Sequence, residues 1–72
     1  MNTERSIFEY MKQVYRNYLL RVMEFVNFKS ICRKCSVDYI NFNKFLHGED
    51  NRMSIASLDR ICKFIGNIEK IA

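Results

Sequence analysis

The sequence predicts an all-α fold, a bundle of four to five helices with an extended first helix, and three observations carry that prediction. Proline is absent and glycine stands only at positions 48 and 66, so little interrupts long stretches of helix-compatible chain. Apolar residues recur at spacings of three and four over residues 3–25 and again over 54–65. Capping residues divide the pattern, with Asn27, Asp38 and Ser54 placed to open helices and Gly48 and Gly66 placed to close them.

Residues 3–25 read as one long helix. Asn2 or Thr3 is placed to cap it, and Ser6 with Glu9 three residues later forms an alternative capping box. Its expected buried stripe is Ile7, Met11, Val14, Tyr18, Val22 and Phe25, widened by Phe8, Tyr15, Leu19 and Val26. The stretch 27–48, NFKSICRKCSVDYINFNKFLHG, then reads as two short helices around a turn. Asn27 caps the first, whose Ile31, Cys32 and Cys35 share one face. Asp38 caps the second, whose Phe42 and Phe45 lie three apart on its inner face, and Gly48 closes it. Glu49–Met53 is a loop. Over 54–65 the buried stripe is Ile55, Leu58, Ile61, Cys62 and Ile65, which leaves Phe64, Ile68 and Ile71 without an expected place in the core.

Composition narrows the class. Seventy-two residues, 49% hydrophobic, make a single domain over 1–72 with a thin core, to which a second subunit would add stability. No apolar run approaches the roughly twenty residues of a membrane span, so no membrane partner is expected. MNTERSIFEY carries charges where a signal peptide would be apolar. Three cysteines cannot all pair, which points to reduced thiols and a cytoplasmic protein. The net charge of +4 is unevenly spread: Lys12, Arg16, Arg21, Lys29, Arg33 and Lys34 face the single acid Glu24 between residues 12 and 36. A segment of that kind suits an anionic partner such as nucleic acid, and equally a solvated helix face.

The register of 27–48 resembles the helix-turn-helix of the Cro and phage-repressor (XRE-like) family. The polar cap, the Leu-Ala pair, the Gly-Val turn, the second cap, the buried Ile, the apolar residue three further on and the closing Gly fall on Asn27, Ile31-Cys32, Ser36-Val37, Asp38, Phe42, Phe45 and Gly48. SIASLDRICKFIG, residues 54–66, is similar to the family's next helix, and the likeness covers roughly residues 16–66. Three positions depart from the pattern. Ser36 replaces the turn glycine, at a cost of about 1 kcal/mol if it takes a positive φ. Cys32 replaces the small Ala, and Leu46 stands where an acid often sits, which leaves Arg21, the match to a basic position of the family's first helix, without its usual partner.

The resemblance implies a lambda-repressor-like DNA-binding fold with the helix-turn-helix at 28–47 and a recognition helix at 39–47. Carried over residue by residue, base edges are met by Tyr39, Ile40, Asn41 and Lys44, with Asn43 and His47 nearer the backbone. The side chains suit those roles: Asn pairs with adenine, Lys with guanine, and Ile40 can cover a thymine methyl. Phosphates would be met by Lys29, Arg33, Lys34 and Arg52, together with the amide end of the helix that begins at Phe28. Family members often pair through the carboxyl-terminal end, so Phe64, Ile68 and Ile71 are the expected homodimer interface.

Chemistry of other kinds finds little support. Cys32-Arg33-Lys34-Cys35 with Cys62 and His47 can be written as a Cys₃His zinc site, but zinc pairs of that spacing sit on turns, whereas these cysteines complete apolar helix faces. There is no paired carboxylate on a shared face and no glycine-rich phosphate loop, and nucleophilic catalysis would need a base near a cysteine, where the only histidine is His47 at the end of the recognition helix. The expectation is therefore a non-enzymatic protein without metal, cofactor or small-molecule ligand. The leading function is a Cro-like regulator on double-stranded DNA. The alternative is a protein-interaction module on the same scaffold, antitoxin- or antirepressor-like, that binds through Tyr39, Ile40 and Phe64.

Overall fold

The computed structural model describes the backbone of residues 3–71 and the side chains of residues 7–67. It is all-α: α1 spans Thr3–Val22, α2 Phe28–Lys34, α3 Tyr39–Leu46 and α4 Ile55–Ile71, with one 3-10 turn at Asp50–Arg52. No strand occurs among the described residues.

The helix-turn-helix forms at the expected place because its caps act locally. Asn27 Oδ1 accepts from Ser30 N at 3.2 Å to open α2, and Asp38 Oδ1 accepts from Ile40 N at 2.9 Å to open α3. Between them Ser36 takes φ 59°, and Val37 N donates to Cys32 O at 2.8 Å. That left-handed residue reverses the chain without glycine, at a cost of about 1 kcal/mol. Gly48, at φ 113°, ends α3 in a conformation that a side chain would strain.

The core is the junction of α2, α3 and α4 with the carboxyl-terminal half of α1. Leu19, Phe42, Phe45, Leu58, Ile61 and Ile65 are fully buried, and the Phe28 and Phe42 rings meet edge to face at 4.9 Å. Cys32 and Cys35 are buried and free, as the packing reading of the cysteines expected, and Cys62 is half-buried. Burial pushes the Cys32 thiol up to about 11, with the neighbouring Cys35 adding to it, and burial does the same for Cys62.

Three expectations from the sequence are corrected. First, α1 stops at Val22 instead of 25. The chain turns at once towards α2, with Phe25 N donating to Val22 O at 2.9 Å and the Phe25 side chain left 81% exposed. Second, the buried face of α1 is set differently around the helix. Leu19 and Val22 enter the core with Tyr15 and Tyr18 against it, whereas Ile7, Phe8 and Val14 are exposed. The phase is fixed by Arg16, only 7% exposed, which periodicity of apolar residues alone does not register. Its Nε donates to Phe45 O at 2.9 Å, one terminal nitrogen donates to Gln13 Oε1 at 2.9 Å, the other is paired with Asp50, and the guanidinium lies 4.3 Å from the Phe45 ring centroid. Lys12 Nζ adds a bond to Asp50 O at 2.9 Å. Arg16, and not the exposed Arg21, is thus the basic residue that ties the first helix to the end of α3, and its acid lies past Gly48 at Asp50.

Third, Gly66 does not close the last helix. α4 runs through it to Ile71, because one interior glycine costs about 1 kcal/mol and the packing of Ile61 and Ile65 outweighs it. The same packing gives Phe64 a place: it is half-buried against the core, with Lys34 Nζ 5.8 Å from its ring centroid. The side chains of Ile68 and Ile71 lie outside the described residues. α4 is held to its neighbours by Arg60, which donates to Cys35 O at 2.9 Å, and by Asp59, which accepts from Tyr15 Oη at 3.3 Å.

Candidate nucleic-acid interface

α3 is divided lengthwise. Phe42, Phe45 and Leu46 are buried, while Ile40, Asn43, Lys44 and His47 are exposed. Of the four residues expected at base edges, Lys44 is exposed and Ile40 is 64% exposed. Tyr39 is half-buried against the core, and Lys29 Nζ stands 5.6 Å from its ring centroid, so α2 and the start of α3 present a cation and a phenol side by side. Asn41 is half-buried and its Nδ2 donates to Asp38 Oδ2 at 3.4 Å.

The backbone-facing set divides as well. Lys29, Arg33 and Lys34 are exposed along α2, and its last turn carries two of them with no acid in its first turn. Phe28 itself is a core residue, so its contribution to the outside is limited to the backbone amide at the start of α2. Asn43 is exposed while its carbonyl accepts from His47 N and lies 2.7 Å from His47 Nδ1, which fixes the imidazole at the carboxyl end of α3. Arg52 pairs with Glu49 at 3.2 Å, an exposed bond that is easily exchanged for another anion. Arg52 also lines a cleft of about 270 Å³ with Asp38, Asn41, Ser54 and Ser57, so the start of α3 and the start of α4 open onto one polar hollow.

One basic residue was not foreseen. Arg60 is exposed on α4, yet its guanidinium reaches the carboxyl end of α2, next to Arg33 and Lys34 in the chain. Its only signal in the sequence was its charge, because the crossing of α4 over that end is a tertiary fact. The remaining charged pair, Asp59 with Lys63 at 2.9 Å, is self-contained: the Lys63 hydrogen bond holds the Asp59 carboxyl low, and the same bond raises Lys63. Burial, followed by the nearby Asp59 charge, raises the Tyr15 phenol.

What this surface can do chemically is hold anions and planar polar edges. It displays ammonium and guanidinium groups, an amide, a phenol and one bare aliphatic side chain. Among the described residues no cluster of three or more His, Cys, Asp or Glu is placed to hold a metal ion, and no helix is long and apolar enough to cross a membrane. No family model, curated protein or solved structure matches the chain.

Proposed function

We propose that this chain is a sequence-specific double-stranded DNA-binding transcription regulator of the Cro-like kind, an XRE-family helix-turn-helix protein that acts as a homodimer in the cytoplasm and lays residues 39–47 in the major groove. The observation that carries the reading is the lengthwise division of α3. Two fully buried phenylalanines hold the helix, and its outer face bears Ile40, Asn43, Lys44 and His47. Lys29, Arg33 and Lys34 flank it on α2. Such a helix can be placed by phosphate contacts and can read bases with side chains that owe nothing to the core. No catalytic residue, cofactor or small-molecule ligand enters this reading, and the free thiols suit a reducing compartment.

The test is selection of bound sequences from a random duplex pool, followed by fluorescence titration of the best sequence and a scrambled one at several salt concentrations. With Lys29, Arg33, Lys34 and Arg52 on phosphates, the logarithm of affinity should fall with the logarithm of salt at a slope of about −3 to −4 per protomer. A second reading has one observation in its favour. Phe25 and Met23 are exposed beside a groove of about 540 Å³ that Phe28, Lys29 and Tyr39 also line, and Ile40 lies bare next to Tyr39 in the chain. A surface of that composition suits a protein partner. Absence of salt-dependent binding to any duplex would select the protein-interaction module, antitoxin- or antirepressor-like, over the DNA-binding one.

A further inference from the structure

α1 ends at Val22, and the turn after it puts Phe25 outside the core at 81% exposure, the most exposed large apolar side chain among the described residues. A hollow lies on each side of it. The first, of about 540 Å³, takes in Met23, Glu24, Lys29 and Tyr39, and the second, of about 230 Å³, takes in Ser30, Ile31, Lys34 and Phe64. Phe25, Val26 and Asn27 line both, so the two hollows meet along one ridge. Each hollow holds a lysine, with Lys29 Nζ 5.6 Å from the Tyr39 ring centroid and Lys34 Nζ 5.8 Å from that of Phe64. The two lysines are five residues apart on α2, about 7.5 Å along its axis, and Glu24 is the one acid in either lining.

We propose that this ridge docks a protein partner through a segment that carries apolar side chains beside acids. The apolar side chains enter the hollows on either side of Phe25, and the acids meet Lys29 and Lys34. A bare phenylalanine between two recesses is the kind of anchor on which an interface turns, and a cation in each recess selects for negative charge. Other occupants fit less well. A nucleic-acid backbone uses the lysines but leaves Met23, Phe25, Val26 and Phe64 facing water. A bilayer surface has no side chains to fill recesses. A second copy of this chain brings a net charge of +4 against the same charge. The proposal deepens the protein-partner reading by giving the partner's chemistry and its place, and it uses none of Ile40, Asn43, Lys44 and His47 on the outer face of α3. Lys29 and Lys34 also belong to the phosphate set of the DNA reading, so on that reading a docked partner withholds them from a duplex and releases it.

The test is selection of short random peptides displayed on phage against the immobilised full chain, followed by fluorescence-anisotropy titration of the most enriched peptide, without DNA. Enriched peptides should combine aromatic or aliphatic residues with acids. The chains titrated are the wild type, Phe25→Ser, Lys29→Gln, Lys34→Gln and, as a control away from the ridge, Tyr10→Ser. All four positions are exposed, and circular dichroism checks that each variant folds. Phe25→Ser should weaken binding at least about tenfold and each lysine change about two- to fivefold, while Tyr10→Ser leaves it as it was. Replacing the peptide's acids by amides should weaken it about as much as both lysine changes together. Failure to enrich acidic peptides would overturn the proposal, as would a Phe25→Ser variant that binds like the wild type. Another occupant would overturn it too: self-association of the chain alone, retention on phosphatidylglycerol vesicles, or binding of oligothymidylate, in each case lost in Phe25→Ser. Saturating peptide should release the selected duplex, and simultaneous binding would strike the exclusion of DNA. A chain that binds the peptide but no duplex fails the DNA reading alone, and one that binds a duplex but no acidic peptide fails this proposal alone.

Discussion

Replacing Arg16 by Met asks how much of this small protein hangs on one buried guanidinium. The aliphatic part is kept, so the change removes polar contacts more than volume. Phe45 O loses its charged donor and keeps Gly48 N at 3.0 Å, and a hydrogen bond to a charged group is worth about 1.5–3 kcal/mol. The cation over the Phe45 ring is worth about 0.5–2 kcal/mol when partly desolvated. Asp50 is freed, but its side chain is 44% exposed and water satisfies it, so the ion pair itself adds at most about 1 kcal/mol. Together these give a loss of about 3 kcal/mol, a large share of the 4–11 kcal/mol that roughly 0.05–0.15 kcal/mol per residue gives a chain of this length. The midpoint of thermal unfolding should fall by about 12–24 °C. The assay is urea and thermal unfolding followed by circular dichroism at matched protein concentrations, with Arg21→Met as the control. Arg21 is exposed and should cost less than about 0.5 kcal/mol. A loss below 1 kcal/mol at Arg16, or equal losses at the two arginines, would refute the account of how α1 is keyed to the end of α3.

Lys44→Ala should cost about 1–3 kcal/mol on the selected duplex and far less on a scrambled one, with Tyr39→Ala in the same direction, because a base contact exists only where the right base does. Arg33→Ala should weaken both duplexes alike and reduce the salt slope by about one unit, as loss of a phosphate contact does. Ser36→Gly should stabilise by up to about 0.6 kcal/mol in urea melts, since relief of about 1 kcal/mol of φ 59° strain exceeds the about 0.4–1 kcal/mol of extra freedom of the unfolded chain; destabilisation would mean that the turn does not hold that conformation in solution. The Cys32 and Cys62 thiols are raised to about 11 in the fold. Their contribution is therefore complete below the unfolded thiol range and is lost as pH climbs from about 9 to 11, at up to about 1.4 kcal/mol per pH unit for each, and Cys32→Ala should flatten that decline.

The local features were legible in the sequence because the physics that makes them is local. Asn27 and Asp38 cap where a capping side chain precedes an apolar run, and Gly48 closes α3 because the next residue must take a positive φ. Cys32 and Cys35 were readable as core because they complete the same face as Ile31. What was not legible depended on partners distant in sequence. Hydrophobicity alone favours a buried face over Ile7, Phe8 and Val14, which are exposed; a buried arginine, which counts as polar in any periodicity, turns the helix to bury Leu19 and Val22 instead. Its acid, Asp50, lies 34 residues away, so no spacing rule points to it. Gly66 looked like a helix end because nothing local shows that Ile65 is fully buried beside it. Among the site residues, the exposure of Ile40 and Lys44 followed from the phase of α3. The tie of Asn41 to Asp38 and the reach of Arg60 to Cys35 O needed coordinates.

Because Phe42 and Phe45 hold α3 by its inner face alone, the outer face is free to vary. Substitutions at Ile40, Asn43, Lys44 and His47 fall on exposed helix positions, and positions of that sort usually move stability by less than about 0.5 kcal/mol. A lineage, or a designer, can therefore rewrite those four positions in many combinations without first stabilising the scaffold. The anchors keep the helix in one orientation while its outward vocabulary changes. In so small a chain, where a loss of a few kcal/mol is a large part of what holds it together, that separation is what allows new specificities to arise by single steps. Substitutions at Arg16, Phe42 or Phe45 enjoy no such freedom, and a library built on this chain should leave those three untouched.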